Sequence, residues 1–355
     1  LQRVWCEAGV QLSTVCRALD SQGLTLPSWP ILKEQSIGGA VSTGSHGSSF
    51  HHGTIADLVT DLDLVTLDGR HVSLSRASSS GAARSLFRAA LAGCGRVGAI
   101  TSVTLECQAR YRVHRTVHHH SILDLLTPDR GNDGLLSTLQ GAEHAMGAWS
   151  LGSEDLVLCL LHRTEDPSEP WYNGSSNWFV GRDPFHPKGA LPYSARCRSA
   201  TPEEWQSMEY AFPLELLPEV LGKIHESFHL DAFQDLRHRV LEIKFLQGKS
   251  LALLGVNAGE HAVWFAINFY WPLPRSAAVR MEGILRADQR LWTSGRPHPG
   301  KWHSQVDQQL LTSRFGEAHV AALLESARHS QRHCHSGEGE GEGEDEEEEE
   351  EGKGT

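Results

Sequence analysis

The chain has 355 residues, 39% of them hydrophobic and 21% charged, with 32 Lys+Arg against 44 Asp+Glu and a formal charge of −12. Eleven of the acids but only one base, Lys353, fall between Gly337 and Thr355, which leaves a near-neutral body with no field to recruit nucleic acid. The most apolar stretch, Leu251 to Phe269, contains Asn257, Glu260 and His261 and is too polar for a transmembrane span, and seven scattered Cys without a C-x-x-C pair supply neither a disulfide framework nor a zinc site.

The residues ahead of the acidic tail exceed what one core usually organises, so two domains or one large composite are predicted. Leu1 opens the chain without a Met or a charged-then-apolar leader, and an upstream part is expected to be missing. Val4 to Glu7 reads as a strand, and Leu12 to Gln22 as a helix with Leu12, Val15, Cys16 and Leu19 on one face, stopped by Gly23. Ser36 to Gly53 has five Gly among small hydroxylated residues and reads as a loop shaped for something to lie against. Leu58 to Leu67 and His71 to Leu74 form a ribbon turned by Asp68-Gly69. Ala82 to Leu91 is helical by propensity and Ala99 to Cys107 alternates as a strand does.

Beyond Arg112 the pattern lengthens. Leu156 to Leu161 and His261 to Trp271 look extended, Pro213 to Phe228 and Ser276 to Trp292 helical, and a domain boundary is placed near residue 112. Arg163 to Arg198 reads as a surface excursion anchored by Trp171, Trp178 and Phe185. The Gly/Glu tail is expected to be disordered, because its like charges repel and it has little to bury, and the His and Cys around residue 334 are read as part of it rather than as a metal site.

The sharpest signal is Ser36-Ile37-Gly38-Gly39-Ala40-Val41-Ser42-Thr43-Gly44-Ser45-His46-Gly47-Ser48-Ser49. Backbone N–H groups of such small residues can approach an anion closely, and the hydroxyls add donors. The run fits neither G-x-G-x-x-G nor G-x-x-x-x-G-K-[ST]. With the ribbon ending Leu64-Val65-Thr66-Leu67-Asp68-Gly69, it resembles the FAD-binding domain of the sugar-lactone oxidases, a group of vanillyl-alcohol-oxidase-type flavoproteins that includes L-gulonolactone oxidase, D-arabinono-1,4-lactone oxidase and alditol oxidase. Three further blocks follow in the family's order: Gly95 to Leu105, Met208-Glu209-Tyr210-Ala211-Phe212-Pro213, and Arg296-Pro297-His298-Pro299-Gly300-Lys301-Trp302-His303.

The resemblance implies an α+β protein. Residues 1–112 would be an FAD-binding domain truncated at its N-terminal part, residues 113–329 a substrate or cap domain with an antiparallel sheet flanked by helices, and 330–355 the acidic tail. It places Gly38, Gly39, Ser42, Thr43, Gly44, His46, Gly47 and Ser48 along FAD, with Gly98 and Ile100 lining the flavin. Glu242 and Lys244, on a strand whose period of two turns both to one face, and Lys301 are the implied catalytic residues; no metal ligand is implied. Lys244 stands where the family has Arg, exchanging a planar fork for a point charge, and Pro299 where the family mostly has Trp. His298 and His303 are weaker candidates, and no residue aligns with the family's flavin-linked His. The implied reaction takes a hydride from the hydroxyl-bearing carbon of an aldonolactone or polyol to FAD, with O2 or another electron acceptor. The alternative, a catalytically silent flavin-fold remnant working as a binding or scaffold protein, is expected if the missing front and the two departures outweigh the rest.

Overall fold

The first sheet grows from the alternation visible in the sequence. Strands β1 (Gln2–Glu7), β2 (Leu24–Thr25), β3 (Val59–Thr66), β4 (His71–Ser75) and β5 (Gly98–Ala109) form an antiparallel sheet of order β1-β5-β3-β4, with β2 beside β5. In β3, Leu62 and Leu64 are buried while Asp61, Asp63 and Val65 stay half exposed, as a two-residue period requires. The β3–β4 turn uses Gly69 at φ 83°, a conformation that only Gly adopts without cost, and its N–H donates to the Thr66 carbonyl at 2.9 Å. Helix α1 (Leu12–Ser21) buries Leu12, Val15 and Leu19. The computed structural model describes residues 2–126, 132–178, 207–228, 231–237, 239–269, 275–304 and 307–331.

The Gly-rich segment departs from the expected loop, since Ile37–Ser42 is a helix, α2. Its start is capped by the Ser36 hydroxyl, which accepts from the Gly39 N–H at 3.3 Å. Ile37, Ala40 and Val41 point inward at i, i+3 and i+4, and this burial overrides the low helix propensity of the two glycines. Helix α3 (Gly81–Ala90) is capped by Ser80 and buries Leu86, Phe87, Ala89 and Ala90.

The chain leaves the first sheet at Ala109 and enters the second at Arg112. That sheet contains β6 (Arg112–Ser121), β7 (His144–Ser150), β8 (Asp155–Thr164), β9 (Met208–Pro213), β10 (Val240–Gln247), β11 (Val263–Phe269) and β12 (Arg296–Pro297), in the antiparallel order β12-β9-β11-β10-β7-β8-β6. One face carries Tyr210, Phe212, Ile243, Phe245, Phe265 and Ile267 against helices α4 (Leu217–Ser227) and α5 (Arg275–Arg286). The other face, with Glu209, Glu242, Lys244 and Asn268 among its residues, turns toward the Gly-rich segment.

Two boundaries moved. The helix expected from Pro213 begins only at Leu217, because Pro213 ends β9. The helix expected over Ser276 to Trp292 is split at Asp288, whose carboxylate caps a second helix, α6 (Gln289–Ser294). The last helices, α7 (Gln308–Phe315) and α8 (Glu317–His329), bury Phe315, Val320 and Leu323 in the core of the first sheet, and α8 packs on α3. Residues 113–329 thus do not all gather on the second sheet. Trp171 lies under the guanidinium groups of Arg110 and Arg112, each 4.1 Å from its ring centroid, and Trp178 is buried; Phe185 lies outside the described residues. Cys6, Cys16, Cys94, Cys107 and Cys159 are free thiols, while Cys197, Cys334 and the acidic tail lie outside the described residues. Among the described residues, no helix is long and apolar enough to cross a membrane.

Candidate functional site

Cross-strand register assembles the site. Glu209 of β9 pairs with Asn268 of β11, and Asn268 pairs with Glu242 of β10, so three polar side chains lie in one row on one face of the sheet. Lys244 follows Glu242 on that face at a spacing of two. The Gly-rich segment is fastened opposite. The Ser48 hydroxyl donates to the Ala145 carbonyl and accepts from the Phe245 N–H at 2.9 Å, and the Ser49 N–H donates to the Phe245 carbonyl at 2.8 Å.

Between them lies a cavity of about 220 Å³. Its wall includes Thr43, Ser45 and His46 from the Gly-rich segment, Glu209, Lys244 and Asn268 from the sheet, and His298, Gly300 and Lys301 from the turn after β12. That volume is below the roughly 300–1,000 Å³ of sites that enclose a whole drug-sized ligand, so the cavity has room for no more than a ring-sized group.

A chain of hydrogen bonds runs along the row. Lys244 Nζ is 3.0 Å from Glu242 Oε2, Asn268 Nδ2 donates to that same oxygen at 2.9 Å, Ser207 Oγ donates to Asn268 Oδ1 at 3.0 Å, and Lys301 Nζ donates to Ser207 Oγ at 3.0 Å. Burial pushes the Lys244 ammonium down, but Glu242 and Glu209 more than offset it and hold its pKa above the ordinary value. Burial pushes Glu209 up, yet His46, His298 and Lys244 hold its carboxyl well below the usual carboxylate range. His298 drops to about 3, chiefly through burial, against the opposing pull of Glu209. Its Nε2 faces the Gly44 carbonyl at 3.2 Å and its Nδ1 accepts from the Gly300 N–H at 3.1 Å. Ligand atoms of His46, Glu209 and His298 come within 4.8 Å of one another. The ring nitrogens of both histidines are already engaged in hydrogen bonds.

Of the residues singled out in the sequence, Thr43, His46, Lys244 and Lys301 meet at this cavity, with His298 beside them. Glu242 stands behind Lys244 as its counter-ion and is not part of the wall. The rest of the Gly-rich set lies off the cavity wall. A side chain at Gly38 would place Cβ 2.7 Å from Ala8 Cβ, and one at Gly47 would place it 2.5 Å from Ser28 Oγ and 2.7 Å from the Trp29 carbonyl. Gly39 is exposed and lies in α2, the Ser42 carbonyl accepts from Cys94, Gly44 turns the chain at φ 65°, and Ser48 stitches the segment to β7 and β10. Gly98 and Ile100 sit in β5 opposite Thr66 and Leu64, away from the cavity wall; Gly98 takes φ 138° where a Cβ would stand 2.2 Å from the Val65 carbonyl.

Glu209, Asn268 and Ser207 were not singled out as site residues. The signal was present in β9 and β11, which read Met-Glu-Tyr-Ala-Phe-Pro and Val-Trp-Phe-Ala-Ile-Asn-Phe. A lone carboxylate or amide in a strand buried on both faces needs a partner.

A sequence model of the FAD binding domain matches residues 1–75. Bovine L-gulonolactone oxidase is 28% identical over 178 residues, covering 50% of this chain and 37% of the relative. D-arabinono-1,4-lactone oxidase of Yarrowia lipolytica is 32% identical over 173 residues, covering 48% and 31%, and alditol oxidase of a Streptomyces species is 26% identical over 314 residues, covering 82% and 70%. The chain thus spans about a third of the length of the first two relatives.

Proposed function

We propose that the chain is a sugar-lactone oxidase that oxidises a sugar-derived alcohol, an aldono-1,4-lactone or an alditol, with FAD as cofactor and O2 or another electron acceptor. The observation that carries this reading is the cavity itself, in which the Gly-rich segment faces a buried row of polar side chains with Lys244 and Lys301 on the wall. The donor set suits a flavin ring. Thr43 and Ser45 offer hydroxyls, and Lys244 and Lys301 offer ammonium groups. FAD when bound supplies the hydride acceptor, which protein side chains lack.

The protein's own groups orient and stabilise. Lys301, steadied by Ser207, presents a cation to negative charge that develops in the cavity, and Glu242 holds Lys244 in place from behind. Thr43, Ser45 and His46 would hold the ring edge, while Ser48 ties the segment to β7 and β10, and Gly38 and Gly47 let it lie against Ala8 and against Ser28 and Trp29. In this reading residues 1–112 are the flavin domain of a vanillyl-alcohol-oxidase-type fold and 113–329 the main part of its cap, with α7 and α8 folded back on the first sheet.

The test is FAD binding by the purified chain, followed by anaerobic bleaching with a panel of aldonolactones and alditols. Visible flavin absorbance and bleaching by at least one compound are expected. A chain that stays colourless after added FAD excludes the reading, and binding without bleaching by any compound would favour the silent-remnant alternative.

A further inference from the structure

The side chains of His46 and Glu209 are each 2% exposed, on opposite sides of the seam between the Gly-rich segment and β9. His46 Nδ1 faces the Gly47 carbonyl at 2.8 Å, and its Nε2 faces Glu209 Oε1 at 2.5 Å. A carbonyl oxygen only accepts, and so does an ionised carboxylate. Both ring nitrogens therefore need a proton if both contacts are to be hydrogen bonds. The neighbouring ring, whose centroid is 5.3 Å away, is arranged differently. His298 Nδ1 accepts from the Gly300 N–H while Nε2 donates to the Gly44 carbonyl, and a single proton satisfies it.

We infer that Glu209 is a positioning residue that keeps His46 doubly protonated, so that His46 stands in the cavity wall as a third cation beside Lys244 and Lys301. The alternative place for the shared proton is Glu209 itself. That carboxyl is held well below its usual range, by His46 first among its charged neighbours, so the proton belongs to the ring. The charged and titratable groups around the pair come from every element that meets there: Glu209 on β9, Lys244 and Glu242 on β10, and His298, Lys301 and His303 after β12. Three cations then face two carboxylates, Glu209 and Glu242. The excess positive charge favours an anionic group in the cavity over a neutral one. That consequence rests on the FAD reading above, while the protonation state does not.

Two measurements on the full chain decide it. Imidazole NMR with isotope-labelled histidine should show His46 with both nitrogens protonated near neutral pH, and His298 with one. Glu209→Gln should convert His46 to the one-proton form near neutral pH, and Glu209→Asp should restore two protons. FAD affinity, followed by flavin fluorescence, should fall about tenfold in Glu209→Gln and recover in Glu209→Asp. A His46 that carries one proton in the parent near neutral pH overturns the inference, and this observation needs no variant to fold. FAD affinity unchanged in Glu209→Gln overturns the third-cation role. The two-proton signature in a chain that binds no FAD upholds the protonation state and sinks the FAD reading instead.

Discussion

Two imidazoles are buried without charge, and acid should expose them. His298 is lowered from 6.5 to about 3, mainly by burial, as is His144, whose Nε2 lies 2.7 Å from the Tyr111 hydroxyl and whose ring stacks on Tyr172 at 4.1 Å. In the unfolded chain each ring returns to about 6.5. The folded pKa lies below the unfolded one, so between these values the unfolded chain binds a proton that the folded chain refuses. Stability is fully present above the unfolded pKa and is lost as pH falls toward the folded one. At about 1.36 kcal/mol per unit, acidification from about pH 7 to about pH 5 costs about 2 kcal/mol per ring, about 4 kcal/mol for both. His162, His303 and His319 shift in the same direction and add to the slope. Glu209 does not contribute in this window, because a lowered carboxyl loses its stabilising effect only below about 4.5. Urea unfolding followed by tryptophan fluorescence at a series of pH values measures the slope. Against a typical total of about 5–15 kcal/mol the loss is large. His298→Asn should reduce the slope by the share of one ring. An unfolding free energy that is flat from pH 7 to 5, or a His298→Asn variant that keeps the full slope, would refute the reasoning.

Lys301→Met should slow substrate-driven FAD reduction by about 10²- to 10³-fold while weakening FAD binding much less, because the cation acts on charge that develops during the reaction. Anaerobic stopped-flow separates rate from affinity, and an unchanged rate would make Lys301 a loop residue. Gly47→Ala should destabilise the fold by about 1–3 kcal/mol, since its Cβ would press on Ser28 Oγ and the Trp29 carbonyl. Gly9→Ala, with no atom within 4 Å of the added Cβ, is the control that should leave the melting temperature nearly unchanged.

Local pattern carried much of the fold. Leu12, Val15 and Leu19 mark α1 at helical spacing, Leu62 and Leu64 mark β3 at strand spacing, and Asp68-Gly69 marks the turn after it, because each of these depends on neighbours within a few residues. The same locality explains the errors. Ile37, Ala40 and Val41 form a helical stripe that five nearby glycines obscured, and only the core beneath them makes that stripe decisive.

The candidate site divides along the same line. The family resemblance marked Thr43, His46, Lys244 and Lys301, which lie far apart in the chain and meet at one cavity. Glu209, Asn268 and Glu242 become a row only through the register of β9, β11 and β10, and a one-residue slip would turn every one of them to the opposite face. The sequence could name a polar residue in an apolar strand, but pairing between strands decides which partner it finds. Tertiary structure alone therefore moved Glu242 behind Lys244 and set Glu209 against His46, since desolvation and hydrogen-bond partners exist only once the sheet and the Gly-rich segment have closed on each other.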